Sequence, residues 1–492
     1  MKKIFVIGLI LLSACSQPVV SEPTAAPKPQ VTGITVRTTP QPMPTSIPVK
    51  RDAPTPDPTR VVDDQGTELY IVQDGDSFAG ISAEFGTTPE EIAQTNGLTT
   101  LDMIHPGDPL NVPLKIGQVG PNAKLIPDSE LIYGPDTITF DLAAYINRTN
   151  GYLKNYTEEV DGSTLTGAQI VQRVAQEFSV NPRLLLALLE YRGQWLSNPT
   201  PNADQQAYPL GYRYPGYQGL HLQLGRTANR LNDGYYGWKG RGARTVRLQD
   251  FSRARIASGL NAGTVGVQTL LAADSTYEHW LEAAGPDGFI TTYWQLFGDP
   301  FQYRATVLPA DLQQPVFALP WSSGETWYYT GGPHGGWAAG SGWAAIDFVS
   351  DDADIGCRTS GGWVESMSPG AVIRSENGQV VVDLDQDGRE QTGWTILYMH
   401  IAADGRVPAG ADLKTGDPIG HPSCEGGLAN ASHVHIARRY NGEWLPAGGP
   451  IPFVMDGWQV SGEATEYNGR LSKDNQVKVA CECREDKNRM TK

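Results

Sequence analysis

"NASHVHIARRYNGEW", Asn430 to Trp444, places two histidines one residue apart in a chain that has only eight. The apolar residues Val434 and Ile436 alternate with His433 and His435, which predicts a half-buried strand. Residues i and i+2 of a strand face the same side, so His433 and His435 project together while Val434 and Ile436 enter the opposite layer. Two imidazoles on one face can hold a metal, or one can hold it while the other handles protons. The spacing alone does not decide, because a hydrogen-bonded pair of ordinary histidines has the same pattern.

Two further pieces shift the balance. "TGGPHGGWAAGSGWAAIDFV" carries His334 and, thirteen residues later, Asp347; "ILYMH" puts His400 at the end of another predicted strand. A hydrolytic zinc takes three protein ligands and keeps a fourth position open, and two histidines plus a carboxylate is one established set. The surroundings are strand-like too. "AVIRSENGQVVVDLD" and "TGWTILYMHI" read as β-hairpin material, so an antiparallel β domain is predicted from about residue 317.

"GGPH…AAIDF", "YMH" and "HVH", in this order, resemble the lysostaphin and β-lytic type of zinc endopeptidase over residues 317–455, and the long gap between His334 and Asp347 is similar to the β-lytic branch. The resemblance implies one Zn²⁺ per chain held by His334, Asp347 and His435. It implies catalytic roles for His400 and His433, and a small antiparallel β domain with the metal in a groove across the sheet. Trp327, Tyr328, Trp337 and Trp343 flank the ligands and either wall that groove or pack the sheet. Asp383, Asp385 and Asp387 before Gly388 match the start of a calcium loop. Trp394 stands where its last carboxylate belongs and the flanks read as strands, so an acidic turn is expected there rather than Ca²⁺.

Nearer the N-terminus, residues 67–114 alternate between two periods. A strand over Leu69–Val72 is followed by a turn at Gly75-Asp76 and a helix with Ile81 and Phe85 on one face. Thr88-Pro89-Glu90-Glu91 then reads as an N-cap with proline at the first helical position, and a Pro106-Gly107 turn leads to a closing strand. "YIVQDGDSFAGISAEFG", "TNGL" and "IHPGDPLNVP" resemble a LysM module, a βααβ fold that binds N-acetylglucosamine polymers such as peptidoglycan. The resemblance implies a glycan groove around Gly75, Asp76, Ser77, Asn96 and Ile104.

Residues 130–312 are predicted to be mainly helical. Ile170, Val174 and Phe178 recur at helical spacing; Leu185, Leu188 and Leu189 form a second apolar face after Asn181-Pro182; Asn261–Ala272 form a third run. The order is distantly similar to a lysozyme or lytic transglycosylase fold. That resemblance puts the catalytic glutamate at Arg192, and an arginine stays protonated above pH 12 and cannot act as the acid. Glu190 sits on the wrong helix face. No glycan cleavage is expected here, and the domain's role stays open. Its tyrosine-rich stretches could stack on sugars or pack loops.

Lys2 and Lys3, the short apolar run Ile4–Leu12 and then Ser13-Ala14-Cys15 resemble a bacterial lipoprotein signal, which implies removal of residues 1–14 and a lipid on Cys15. Residues 15–66, rich in Pro and Thr, are expected to form a disordered tether. Export permits disulfides. Cys357 and Cys424 share a domain and are the favoured pair, whereas Cys481 and Cys483 lie too close along the chain to pair easily. The tail, residues 456–492, offers no pattern. With 38 basic and 54 acidic residues the formal charge is −16, which excludes general nucleic-acid binding. The expectation is a lipid-anchored, wall-facing peptidoglycan endopeptidase. The rivals are a non-catalytic wall-binding or hydrolase-regulating lipoprotein, and a glycan-cleaving enzyme acting through the middle domain. Oligomeric state is not legible.

Overall fold

The computed structural model describes residues 35–36 (backbone only), 56–62, 66–353 and 356–492. The lipoprotein-like leader, Cys15 and most of the tether lie outside the described residues. Among the described residues no helix is long and apolar enough to cross a membrane.

Residues 67–113 form two strands, Thr67–Ile71 and Pro109–Pro113, paired antiparallel around helices Phe78–Phe85 and Pro89–Thr95. The second helix starts where Thr88 accepts from Glu91 N (3.2 Å) while the Glu91 carboxylate accepts from Thr88 N (3.2 Å). This reciprocal cap satisfies two backbone donors that the helix itself leaves unpaired. Ile81, Phe85, Ile92, Leu110 and Val112 close a small core of their own.

The helical domain centres on Gly167–Phe178, Pro182–Gly193, Leu220–Lys239 and Ala262–Ala272. A short hairpin, Thr245–Arg247 with Arg253–Arg255, clamps the N-terminal module. Arg247 and Arg253 donate to the Glu84 carboxylate at 2.7 and 3.2 Å, Thr245 Oγ1 donates to Glu68 Oε2 at 2.8 Å, and the Arg253 guanidinium lies 4.2 Å from the Phe85 ring centre. The tether expectation needs correcting at its end. Arg60 stacks 4.6 Å over the Trp238 ring and donates to the Trp238 and Gly242 carbonyls at 3.0 Å each, so residues 56–62 run along the helical domain. Backbone pairing also joins Thr35–Val36 to Ala411–Leu413.

The C-terminal third is antiparallel β. Its main sheet runs Ala411–Leu413, Gly370–Glu376, Gln379–Asp383, Trp394–Met399, Val434–Tyr440, Ala345–Ser350, Thr326–His334 and Arg489–Thr491. The tail that carried no sequence pattern supplies that last edge strand and continues the chain's Val454–Met455 strand into a four-stranded sheet with Trp458–Gly462, Gly469–Lys473 and Gln476–Val479. Cys357 is bonded to Cys424 (Cα–Cα 5.3 Å). Cys481 is bonded to Cys483, against expectation. The chain turns rather than extends at Glu482, bringing the two Cα atoms to 5.2 Å, within disulfide range.

One apolar core spans the helical domain and one face of this sheet. Val381, Leu397, Met399, Ala437 and Trp444 on the sheet join Leu184, Leu224 and Tyr236 of the helices. Cross-strand partners share a face, and Ala437 pairs with Leu397 while His435 pairs with Met399. The face that bears His435 is therefore the face the helices cover two residues further on.

The acidic segment forms a turn between Gln379–Asp383 and Trp394–Met399, with oxygens of Asp383, Asp385 and Asp387 within 4.8 Å of one another. Burial and the neighbouring Asp385 push the Asp383 carboxyl up to about 8. An unfolded aspartate titrates near 3.9, so the folded state holds the proton more tightly and stability falls as pH rises from about 4 to about 8. In chelator-washed buffer Asp383→Asn is expected to melt above the parent at pH 8, by at least ~2 °C, and to show no gain at pH 4. Thermal melts across that range check this.

Candidate metal centre

The strand Val434–Tyr440 sits between Trp394–Met399 and Ala345–Ser350, and its register sets His435 directly opposite Asp347. Two register shifts in Thr326–His334 carry His334 past Asp347 to align with Ala345, so a third side chain reaches the same spot. His334 Nε2 lies 2.9 Å from His435 Nδ1, and Asp347 Oδ1 is 3.3 Å from both nitrogens. All three residues are buried.

Outer hydrogen bonds fix which ring nitrogens face inward. His334 Nδ1 donates to Gly332 O at 2.8 Å, and His435 Nε2 donates to Gly336 O at 3.0 Å. Carbonyls only accept, so each outward nitrogen carries a proton, and in the neutral ring each inward nitrogen presents a lone pair. Asp347 Oδ1 is itself buried without a hydrogen-bond donor. Burial alone would raise the Asp347 carboxyl, but His334 and His433 hold it well below its ordinary value, as an anion. Three electron-rich atoms thus converge with no proton assigned between them. Four ligands about 2.0–2.1 Å from a tetrahedral zinc are separated by roughly 3.3 Å, so the donor set fits that ion.

His433 and His400 stand beside this triangle. His433 Nε2 is 3.9 Å from Asp347 Oδ1, and the His400 and His433 ring centres are 4.4 Å apart. His433 Nδ1 donates to Ala431 O (2.8 Å) and His400 Nδ1 to Glu425 O (3.1 Å), so both present Nε2 as an acceptor. Burial, with His433 and His435 close by, pushes His400 down to about 3, leaving it neutral. His400 holds a left-handed backbone (φ 64°), a costly state for a non-glycine residue. Its carbonyl is pinned by Ser423 N (2.6 Å) and Ser423 Oγ (3.0 Å).

Sequence reasoning missed three contributors. Gly331 faces Asp347 across the strands, where a Cβ would lie 2.3 Å from Asp347 Oδ2. Gly331→Ala is therefore expected to displace the carboxylate and weaken zinc binding about 10-fold or more, read by competition against a chromogenic chelator. Tyr467 comes from the tail. Its ring stacks on His334 at 4.2 Å and 18°, and its main chain bonds Gly332 N (2.8 Å) and Pro333 O (3.1 Å). Glu466 accepts from Gly335 N at 3.3 Å. The glycine had a signal, "GGPH"; the tail residues, more than 130 positions away, had none.

Of the flanking aromatics, Trp327 is buried and stacked on Trp321 (5.3 Å, 7°), so it packs the sheet. Trp337 meets Phe178 of the helical domain at 6.2 Å. Trp343 lines a cleft of about 480 Å³ beside Pro333, shared with Leu69, Tyr236 and Pro446.

In the N-terminal module Gly75 adopts φ 84° in its turn. Asp76 Oδ2 accepts from Gln73 N and from the Tyr70 hydroxyl, both at 2.7 Å, and Ser77 caps the first helix. Asn96, at the end of the second helix, ties it to the closing strand through Asn111 N and O, each at 2.9 Å, and Ile104 packs on the core. Each of these residues has a structural task. Leu98, Leu101 and Met103 are large apolar side chains left exposed nearby. In the helical domain Arg192 pairs with Asp274 (2.9 Å), while Glu190 accepts from Leu196 N (2.8 Å) and Ser197 N (3.2 Å).

Two family models match the chain, the LysM domain over residues 70–113 and the LasA N-terminal domain over residues 124–311. Residues 70–113 are a LysM domain. Solved structures similar to the chain are M23 metallopeptidases and lysostaphin. The M23 metalloprotease pseudoalterin, from the deep sea, is 21% identical over 34% of this chain and 96% of its own, with a TM-score of 0.28. The catalytic domain of the antimicrobial peptidase lysostaphin from Staphylococcus simulans is 24% identical over 25% of this chain and 89% of its own, with a TM-score of 0.19. A zinc-containing peptidase from Vibrio cholerae is 15% identical over 28% and 41%, with a TM-score of 0.22. No curated protein sequence matches.

Proposed function

We propose that this chain is a lipid-anchored, wall-facing zinc endopeptidase that cuts peptide bonds in peptidoglycan. The observation that carries the reading is the convergence of His334 Nε2, His435 Nδ1 and the undonated Asp347 Oδ1, with both rings' protons committed to carbonyls. The LysM match over residues 70–113 supports a glycan-polymer substrate. The lipid on Cys15 rests on the leader sequence alone.

In this reading His334, Asp347 and His435 hold the ion. A bound zinc would supply a water that ionises near neutral pH and would polarise the scissile carbonyl. His433 stands beside the triangle with Nδ1 on Ala431 O and Nε2 as an acceptor, so it takes the proton of the attacking water. His433 Nδ1 stays on Ala431 O, so the proton gained at Nε2 is the one it can hand to the leaving amine. His400, kept neutral, accepts a hydrogen bond at Nε2 and so orients the water or the amine.

Murein incubated with residues 67–492 and zinc, then analysed by mass spectrometry, tests this. New free amino termini are expected that vanish with a chelator. Intact peptides with bound protein would replace the reading with a binding role, and cut glycan that survives chelation would move the chemistry to the helical domain.

A further inference from the structure

The loop between the first two proposed ligands, residues 335–343, leaves the sheet and lies on the helical domain. Gly336 and Gly342 pair (N to O, 2.9 Å), and Ser341 Oγ bridges the loop by donating to Ala338 O (2.6 Å) and accepting from Trp337 N (3.1 Å). Folded this way, the loop presents two main-chain groups to the helix Leu220–Lys239 and the residues just after it. Gly340 N donates to Asn229 Oδ1 at 2.8 Å, and Ser341 O accepts from Arg241 Nη1 at 3.1 Å, with Arg241 steadied by Asp233 Oδ1 at 2.7 Å. The approach is so close that a Cβ on Gly340 would lie 2.0 Å from Asn229 O.

This loop contains the carbonyl that accepts from His435 Nε2, that of Gly336. Its position decides which His435 nitrogen keeps the lone pair and where the ring points. Trp444, whose main-chain N–H donates to the Tyr236 hydroxyl at 2.9 Å, sets its ring so close to Gly336 that a Cβ there would lie 2.5 Å from it.

We propose that the helical domain is a working part of the metal centre. Asn229 is a positioning residue that sets the Gly335–Trp343 loop and, through the Gly336 carbonyl, the orientation of His435. The inference rests on the zinc reading above, and it gives the helical domain a task within the same site.

The experiment uses the full chain and three variants. Asn229→Ala removes the acceptor, Asn229→Asp keeps one, and Gly340→Ala drives the loop off Asn229 by a clash with its carbonyl. Zinc affinity is read by chelator competition, and loop protection by amide hydrogen exchange on metal-free protein. Asn229→Ala and Gly340→Ala are expected to bind zinc about 10–100-fold more weakly, as loss of an outer partner does. They should also exchange faster at residues 335–343, while Asn229→Asp stays near the parent on both readouts. Parental affinity and parental exchange in Asn229→Ala overturn the proposal. Equal losses in Asn229→Ala and Asn229→Asp also overturn it, since they point to a general folding role. Failure of the parent to bind zinc would sink the zinc reading instead. Exchange on the metal-free chains would still decide whether Asn229 holds the loop.

Discussion

Replacing His433 by alanine is expected to lower the turnover of peptide cleavage by about 10²–10⁴-fold while zinc still binds one per chain. His433 Nε2 stays 3.9 Å from Asp347 Oδ1 and outside the tight triangle, so its removal takes away a proton acceptor and no ligand. His435→Ala, two residues along the same strand, behaves differently. It deletes one corner of the triangle, leaves Asp347 Oδ1 and His334 Nε2 facing a gap, and is expected to lose zinc and activity together. Metal analysis beside steady-state kinetics separates the two. Loss of zinc in His433→Ala would move that residue into the ligand set, and near-parental turnover would remove it from the reaction.

The second large effect concerns folding. A chain cut to residues 317–492 is expected to lack a cooperative thermal transition where residues 67–492 show one. The cut uncovers Val381, Leu397, Met399 and Trp444, all buried in the core shared with the helices. Each such side chain is worth about 1.5–3 kcal/mol when fully buried, and a whole domain rests on a margin of roughly 5–15 kcal/mol. The cut also strips polar partners. Arg439 loses the Gln176 carbonyl (3.0 Å), Trp444 N loses the Tyr236 hydroxyl (2.9 Å), and Asn441 Nδ2 loses the Val307 carbonyl (2.9 Å). Circular dichroism melts of both chains check this. Cooperative melting of the short chain within a few degrees of the long one would show that the sheet carries its own core.

The opening stretch shows what sequence can and cannot carry. Period-two alternation reveals that His433 and His435 share a face, because side-chain direction in a strand is local geometry. The helix start at Thr88-Pro89 was legible for the same reason, since a cap is settled within four residues. Arg438 and Arg439, three and four residues after His435, are charged and yet buried. Their burial depends on distant groups. Glu390 meets Arg439 at 2.6 Å and Arg374 at 2.8 Å, and Pro452 O meets Arg438 at 3.1 Å. No local spacing announces such partners. The tail was opaque on the same grounds. Its strands are short and polar, and Tyr467 gains meaning only where folding lays it on His334.

The clamp between the LysM domain and the helical hairpin has a geometric consequence. Glu84 and Glu68 are both held by the helical domain, so in this structure the module is a fixed part of the body and not a bead on a string. A flexibly linked binder lets its partner sample a volume, and the gain depends on linker length. A docked binder samples one offset. A polymer gripped by the module would be offered to the sheet at a set distance and angle, so the molecule would work as a ruler, favouring bonds at one spacing from the grip and passing over the others.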